Sequence, residues 1–311
     1  MLCEICGDRA IISVSNGTLC KEHFVEKIES ITIETINEYG MIRPGETVAV
    51  ANSGGKDSLS LLYILSKNFR KNNNIISITI DEGIAGYRDK TIEIMKRFCN
   101  RWRVPYFVYS YKDFSGSDMD SIKKVRKGIP CSTCGVLRRY LLNKAAMERN
   151  ADKVATAHNM DDEAENVIMN LLQNDFDKFL RLGPVSGLKE RSGFVPRIKP
   201  FIFISEKETM LYSIINGIDA VHTPCPYAGM GFRGVVSRKI KEMESAKMGT
   251  KMNVIQKMLM MKQRYSPDYL PKKDMEKCSV CGYPSSQNVC EACAIRQSLA
   301  TSNNRGRLTN I

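Results

Sequence analysis

From Thr47 to about Asn174 the chain alternates short apolar runs with helical stretches, and this pattern restricts its fold more than any other feature. Val48-Ala49-Val50-Ala51 reads as a buried strand, and Leu59, Leu62 and Leu65 mark a helix after it. Ile75 to Ile80 reads as a second strand, Tyr106-Phe107-Val108-Tyr109 as a third and Val154-Ala155-Thr156-Ala157 as a fourth. Helices are expected between them, at Lys90 to Asn100 and Cys134 to Asn150, with another from Asp161. Short apolar strands separated by helices pair through crossovers. The predicted fold is therefore α/β, a parallel sheet with helices on both faces.

The flanks read differently. Residues 1–25 are Cys-rich, and Ile28, Ile31 and Ile36 predict a helix over 27–39. Residues 180–233 read as loops and short strands, followed by basic helices at about 234–247 and 251–264. Pro267 and Pro271 mark a linker before a second Cys-rich module at 275–296, and 297–311 reads as a loosely held basic tail. The expected domains are thus 1–25, 26–270 and 275–296, then the tail. No apolar run approaches the ~18–20 residues that span a bilayer, and Met1-Leu2-Cys3-Glu4-Ile5-Cys6 does not open a secretory signal, so a cytoplasmic protein with no membrane partner is expected. Lys and Arg number 46 against 34 Asp and Glu, a net charge of +12 that favours a polyanionic partner such as nucleic acid.

In an open parallel sheet, ligands sit beyond the C-terminal ends of the strands. Ser53-Gly54-Gly55-Lys56-Asp57-Ser58 occupies that position after the first strand. Glycines let the backbone approach phosphate oxygens, and the next helix offers free N–H groups with a partial positive charge. A Walker A loop would need Gly where Val50 stands, and the dinucleotide fingerprint is absent. A tight Gly-Gly turn without a ligand is the bland alternative. Asp81-Glu82-Gly83-Ile84 ends the second strand, where Asp81 would line an adenosine site. Thr156 to Asp162 ends the fourth strand. There Asp161 or Asp162 either caps the helix or holds magnesium or a proton beside the phosphates. His158 is expected near the nucleotide.

The eleven cysteines sort into groups. Cys3, Cys6, Cys20 and His23 form one four-ligand set, and Cys278, Cys281, Cys290 and Cys293 form another. Both spacings read as structural zinc sites, each worth roughly 10–16 kcal/mol to a module too small to fold by apolar burial. Cys99, among Ile94, Met95 and Phe98, reads as an inert buried thiol. Cys131 and Cys134 lie just before a predicted helix, where the helix field stabilises thiolates, and Cys225 sits between two prolines. These three thiols suit an iron–sulfur cluster with one open iron, a zinc ion with His222 as fourth ligand, or a persulfide-carrying pair with Cys225 incidental.

The Cys head, SGGKDS, CSTCG, TAHNMDDEA and the Cys tail module, in that order, resemble the tRNA 2-thiolation family of PP-loop ATPases across nearly the whole chain. The family includes the archaeal and eukaryotic cytosolic tRNA 2-thiouridine synthetases and the related two-thiothymidine synthetases. The resemblance implies an enzyme, a tRNA sulfurtransferase, that binds ATP with Mg2+ through Ser53 to Ser58 and releases AMP and pyrophosphate. It implies a 4Fe-4S cluster on Cys131, Cys134 and Cys225, and a catalytic carboxylate at Asp161. It also implies a homodimer, and tRNA and a sulfur donor as partners. The donor is free sulfide, a persulfide carrier or a ubiquitin-like thiocarboxylate protein. Where the family often has Lys, this chain has Arg138, which cannot serve as a general base and is assigned charge stabilisation.

Two family branches modify the wobble uridine, position 34, and T-loop position 54. The second is associated with heat-stable tRNA. With 16 Met, 11 Cys and the run Asn72-Asn73-Asn74, this chain does not read as hyperthermophilic, which favours position 34. A lysidine- or amide-forming PP-loop ligase would leave Cys131, Cys134 and Cys225 unexplained. A non-catalytic zinc-rich RNA-binding subunit would leave the phosphate loop unexplained.

Overall fold

The computed structural model describes residues 1–14, 17–126, 128–186, 193–221, 223–228, 231–265 and 276–308. A small hairpin, β1 (Ile12–Val14) and β2 (Gly17–Leu19), leads into helix α1 (Lys21–Glu38). The central unit follows as β3 (Thr47–Ala51), α2 (Lys56–Asn68), β4 (Asn74–Asp81), α3 (Arg88–Arg101) and β5 (Tyr106–Ser110). Short helices α4 (Tyr111–Ser115) and α5 (Met119–Val125) precede α6 (Pro130–Glu148), β6 (Lys153–Ala155), α7 (Met160–Leu172) and α8 (Phe176–Leu180). Then come β7 (Val185–Ser186), β8 (Arg197–Ile198), α9 (Glu206–Ile215), α10 (Phe232–Ala246) and α11 (Thr250–Tyr265). The hairpin β9 (Glu276–Lys277) and β10 (Pro284–Ser285) and the helix α12 (Glu291–Leu308) close the chain.

The main sheet runs β5-β4-β3-β6-β8-β7. Its pairs are parallel except for the edge pair of β7 with β8. The expected parallel sheet is present, extended by two short strands that carry too few apolar residues to stand out in sequence. Val48, Ala49 and Val50 are fully buried in the central strand. Ala49 packs with Leu137, Leu141 and Ala145 of α6. Val48 and Val50 pack with Leu61, Leu62 and Leu65 of α2 on the opposite face. Alternating Cβ directions thus require apolar cover on both sides, which explains the unbroken apolar run. From β3 the chain winds outward to β5, then returns to β6 on the other side of β3. The loops after β3 and β6 therefore diverge at a switch point, where open α/β sheets take their ligands.

Several boundaries differ from the sequence reading. Helix α1 starts directly after Cys20, so His23 stands on its first turn. Helix α6 starts at Pro130, so Cys131 lies in its first turn and Cys134 just beyond it rather than both preceding the helix, because proline fits the first helical position. The 180–233 region contains a full helix, α9, started by a Ser205/Glu208 capping box. The helix of the second Cys module continues to Leu308 across most of the expected tail. The Pro267–Pro271 linker and His222 lie outside the described residues. Neither Cys module stands apart. Cys3, Ile12 and Leu19 share a core with α1 and α2, while Cys293, Ile295 and Leu299 share one with α6.

Candidate active site

The loop from Ser53 to Ser58 turns from β3 into α2, and its shape is fixed from below by Asn52. The buried Asn52 Oδ1 accepts the Gly54 N–H at 2.9 Å and the Ser58 hydroxyl at 3.1 Å, while Thr79 Oγ1 donates to the Asn52 carbonyl at 2.7 Å. Ser53 Oγ lies 3.2 Å from Ser58 Oγ and accepts the Gly55 N–H at 3.3 Å. Gly54 adopts φ +79°, and a Cβ there would lie 2.1 Å from the Thr91 carbonyl of α3. Only glycine suits that conformation and that gap. Gly55 is the N-cap of α2 and makes no side-chain cap, so the first N–H groups of the helix face outward for an anion. Lys56 Nζ stands 2.8 Å from Asp57 Oδ2 and 3.8 Å from Glu206 Oε1, and Thr209 Oγ1 donates to Asp57 Oδ1.

Beside this loop, α7 starts with Asn159 as its cap in a capping box with Asp162. Capping therefore falls to Asn159, and neither Asp161 nor Asp162 is the N-cap. Asp161 turns inward at 5 % exposure. It accepts Lys251 Nζ of α11 at 2.5 Å and the Glu206 N–H at the start of α9 at 2.9 Å. Asp162 pairs with Arg233 Nη2 at 2.7 Å, and burial, with Asp57 and Glu165 adding, pushes its carboxyl up to about 6 against the pull of Arg233. Thr156 is buried, and its Oγ1 lies 3.0 Å from His158 Nδ1. Burial, reinforced by Lys199, pushes His158 down to about 4. The expected group of Ser53–Ser58, Asp57, Thr156, His158 and Asp161 is thus drawn to one sheet edge. Asp81, at the end of β4, accepts the Gly83 N–H at 2.8 Å.

The three remaining candidate thiols gather on the other side of the β4 end. Cys134 is buried on α6 and Cys131 is exposed one turn before it. Cys131 Sγ donates to the Tyr227 carbonyl at 3.3 Å, and Cys225, two residues earlier, packs against the same core as Cys134. Burial raises the Cys134 thiol above its usual value, opposed chiefly by Arg138, whose Nη2 points at Cys134 Sγ from 3.3 Å. A cation aimed at sulfur suits a ligating thiolate, so this donor set fits a metal cluster. An open cleft of about 510 Å³, edged by Lys123, Lys124, Pro226 and Tyr227, lies alongside.

Glu82 joins the two halves, a role that sequence reasoning missed. It is 3 % exposed, with Oε2 2.6 Å from Arg88 Nε and Oε1 2.8 Å from Arg138 Nε. The Arg88 contact is an ion pair too poorly aligned to count as a hydrogen bond. The one available signal was a second carboxylate directly after an apolar strand. Lys251, Glu206 and Thr209 gave none, because they reach the site only through helix packing.

Two sets of described residues bring all four metal-ligand atoms within 4.8 Å of one another: Cys3, Cys6, Cys20 and His23, and Cys278, Cys281, Cys290 and Cys293. Within them, Cys20 Sγ lies 3.2 Å from His23 Nδ1 and Cys281 Sγ lies 3.7 Å from Cys290 Sγ. Both sets have the donors and closeness that a tetrahedral zinc ion needs. Cys131, Cys134 and Cys225 are not drawn together in this way.

Residues 21–217 match the PP-loop domain family. The chain is 36% identical over 299 residues to cytoplasmic tRNA 2-thiolation protein 1 of Danio rerio, covering 93% of this chain and 83% of that protein. It is 33% identical to the tRNA-5-methyluridine(54) 2-sulfurtransferase of Pyrococcus horikoshii, with 94% and 93% covered. Among solved structures it is similar to the U34-tRNA thiolase NcsA from Methanococcus maripaludis with its [4Fe-4S] cluster. That match has 32% identity, a TM-score of 0.83 and 96% of each chain covered.

Proposed function

The chain belongs to the PP-loop family of tRNA 2-thiolation proteins, and on that premise we propose that it uses ATP to replace the C2 oxygen of a tRNA uridine with sulfur. One observation carries the reading: the phosphate loop and the Cys131, Cys134 and Cys225 patch flank a single buried carboxylate, Glu82.

A uracil oxygen is a poor leaving group. Attack of that oxygen on the α-phosphate of ATP expels pyrophosphate and leaves an adenylated base. Attack of sulfur at C2 then expels AMP. Backbone N–H groups of Gly54, Gly55 and the start of α2, with the Ser53 and Ser58 hydroxyls and Lys56, would cradle the phosphates. Asp161 is the proposed reaction carboxylate and magnesium partner. Through the Glu206 N–H it also fixes the start of α9, whose Glu206 side chain faces Lys56. Thr156 lines the same edge, and Asp81 shapes the turn beside it.

Cys131, Cys134 and Cys225 would hold a 4Fe-4S cluster, which supplies the sulfur nucleophile when bound. Arg138 cannot take up a proton, so its part is to balance charge at Cys134. The two finger sets would each hold a structural zinc. Basic residues of α10 and α11, with Lys123 and Lys124 at the cleft, would grip the tRNA backbone. We further assign position 34 over 54 from the composition, place the reaction in the cytoplasm, and expect a homodimer fed by an external sulfur donor.

The test is anaerobic purification, metal analysis and visible absorption, followed by incubation with ATP, sulfide and tRNA. Mass spectrometry of nuclease fragments should show 2-thiouridine at position 34, with AMP formed and two zinc and one cluster per chain. Thiolation at 54 alone would overturn the position. Thiolation by iron-free protein would overturn the cluster. Failure to consume ATP with tRNA and sulfide would overturn the whole reading.

A further inference from the structure

Arg88 and Arg138 share Glu82 but face opposite ways. Arg88 is 3 % exposed. From Nη1 it donates to the Ser53 carbonyl at 2.8 Å and to Thr91 Oγ1 at 3.0 Å, and from Nη2 to the Ile80 carbonyl at 2.5 Å. The Ser53 carbonyl and the Gly54 N–H belong to one peptide plane. Arg88 pins that plane at its oxygen and Asn52 pins it at its nitrogen, so together they fix how the phosphate loop leaves β3. On the other side, Arg138 directs Nη2 at Cys134 Sγ. Two guanidinium groups and one carboxylate leave an excess positive charge, which a thiolate at Cys134 would neutralise. Glu82 is buried between the two guanidinium groups while Arg138 is half exposed, so the one buried carboxylate is the contact on which both ends depend.

We infer that Glu82 is a positioning residue that couples the nucleotide loop to the Cys134 ligand. The inference rests on the reading of Cys131, Cys134 and Cys225 as iron ligands. Loss of the Glu82 charge frees Arg88 to leave Ser53 and frees Arg138 to leave Cys134. A residue that merely fills space would lower stability without linking the two sites.

The experiment uses full-length wild type, Glu82→Gln and Arg138→Lys, each checked for folding by circular dichroism. ATP affinity is measured on iron-free protein. Iron loss to a chelator is measured anaerobically on cluster-loaded protein, with and without a non-hydrolysable ATP analogue. In wild type the analogue should slow iron loss. In Glu82→Gln, ATP affinity should fall about tenfold or more, the scale of one lost charge-assisted hydrogen bond, and the protection by nucleotide should vanish. Arg138→Lys, at a half-exposed side chain, should keep ATP affinity within about twofold yet lose iron several-fold faster with little protection. ATP affinity and protection in Glu82→Gln equal to wild type would overturn the coupling alone. Wild type that takes up no iron would overturn the cysteine reading and the coupling with it. Should Glu82→Gln fail to fold, unchanged iron loss and protection in Arg138→Lys overturns the inference.

Discussion

Gly54→Ala tests how tightly the phosphate loop is built. The residue adopts φ +79°, where an L-residue is disfavoured by about 1–2 kcal/mol. The new Cβ would also lie 2.1 Å from the Thr91 carbonyl oxygen and 2.8 Å from its carbon. That neighbour is helix backbone and cannot rotate aside. Relief requires α3 to back away from the end of β3, an overpacking cost of about 1–3 kcal/mol. Together the substitution should cost about 2–5 kcal/mol. If the helix holds and the loop yields, its N–H groups lose their aim, and each 1.4 kcal/mol weakens ATP binding about tenfold. Urea denaturation and equilibrium ATP binding on iron-free protein together capture both outcomes. Gly55→Ala is the control for stability, since φ there is −85° and its Cβ would meet only Ser53 Oγ, at 3.3 Å. It should change stability by less than about 1 kcal/mol. Wild-type stability together with wild-type ATP affinity in Gly54→Ala would refute the argument.

Lys251→Met leaves the buried Asp161 carboxylate with the Glu206 N–H alone and should destabilise the protein by about 3–5 kcal/mol. Adding Asp161→Asn should recover part of that loss, and a strictly additive double mutant in chemical denaturation would show that the pair is not coupled. His158 titrates near 4 when folded against about 6.5 in an open chain. Its contribution to stability is therefore complete above about pH 6.5 and is lost as pH falls from there toward 4. His158→Gln should flatten the stability curve across that window, and an unchanged slope would contradict the burial argument.

The legible parts of the protein are those whose chemistry is local. SGGKDS announced a phosphate loop because closeness to an anion demands glycine and N–H groups next to a helix. The two finger sets were legible because each metal knuckle spans a few residues. The strands β3 and β4 were legible because burial on both faces demands continuous apolar runs. In contrast, Glu82 and Lys251 are single charges that reach Arg138 and Asp161, 56 and 90 residues away. Asp161 was legible as a site residue, yet its pairing with Lys251 was not.

By itself the sequence determined the parallel α/β frame, the nucleotide loop, the metal-binding residue sets and the family. All of these rest on short-range spacing or on periodicity that any fold of this chain must satisfy. Tertiary structure alone decided that β3 and β6 part at the phosphate loop, that Cys131 and Cys134 ride the N-terminal end of α6, and that Asn159 rather than an aspartate caps α7. It also decided that one carboxylate, Glu82, pairs with both the arginine held at the Ser53 carbonyl and the arginine aimed at Cys134. The physical reason is that a buried charge takes its partner from whatever element packs against it. That choice is made by helix packing on the sheet and leaves no pattern along the chain.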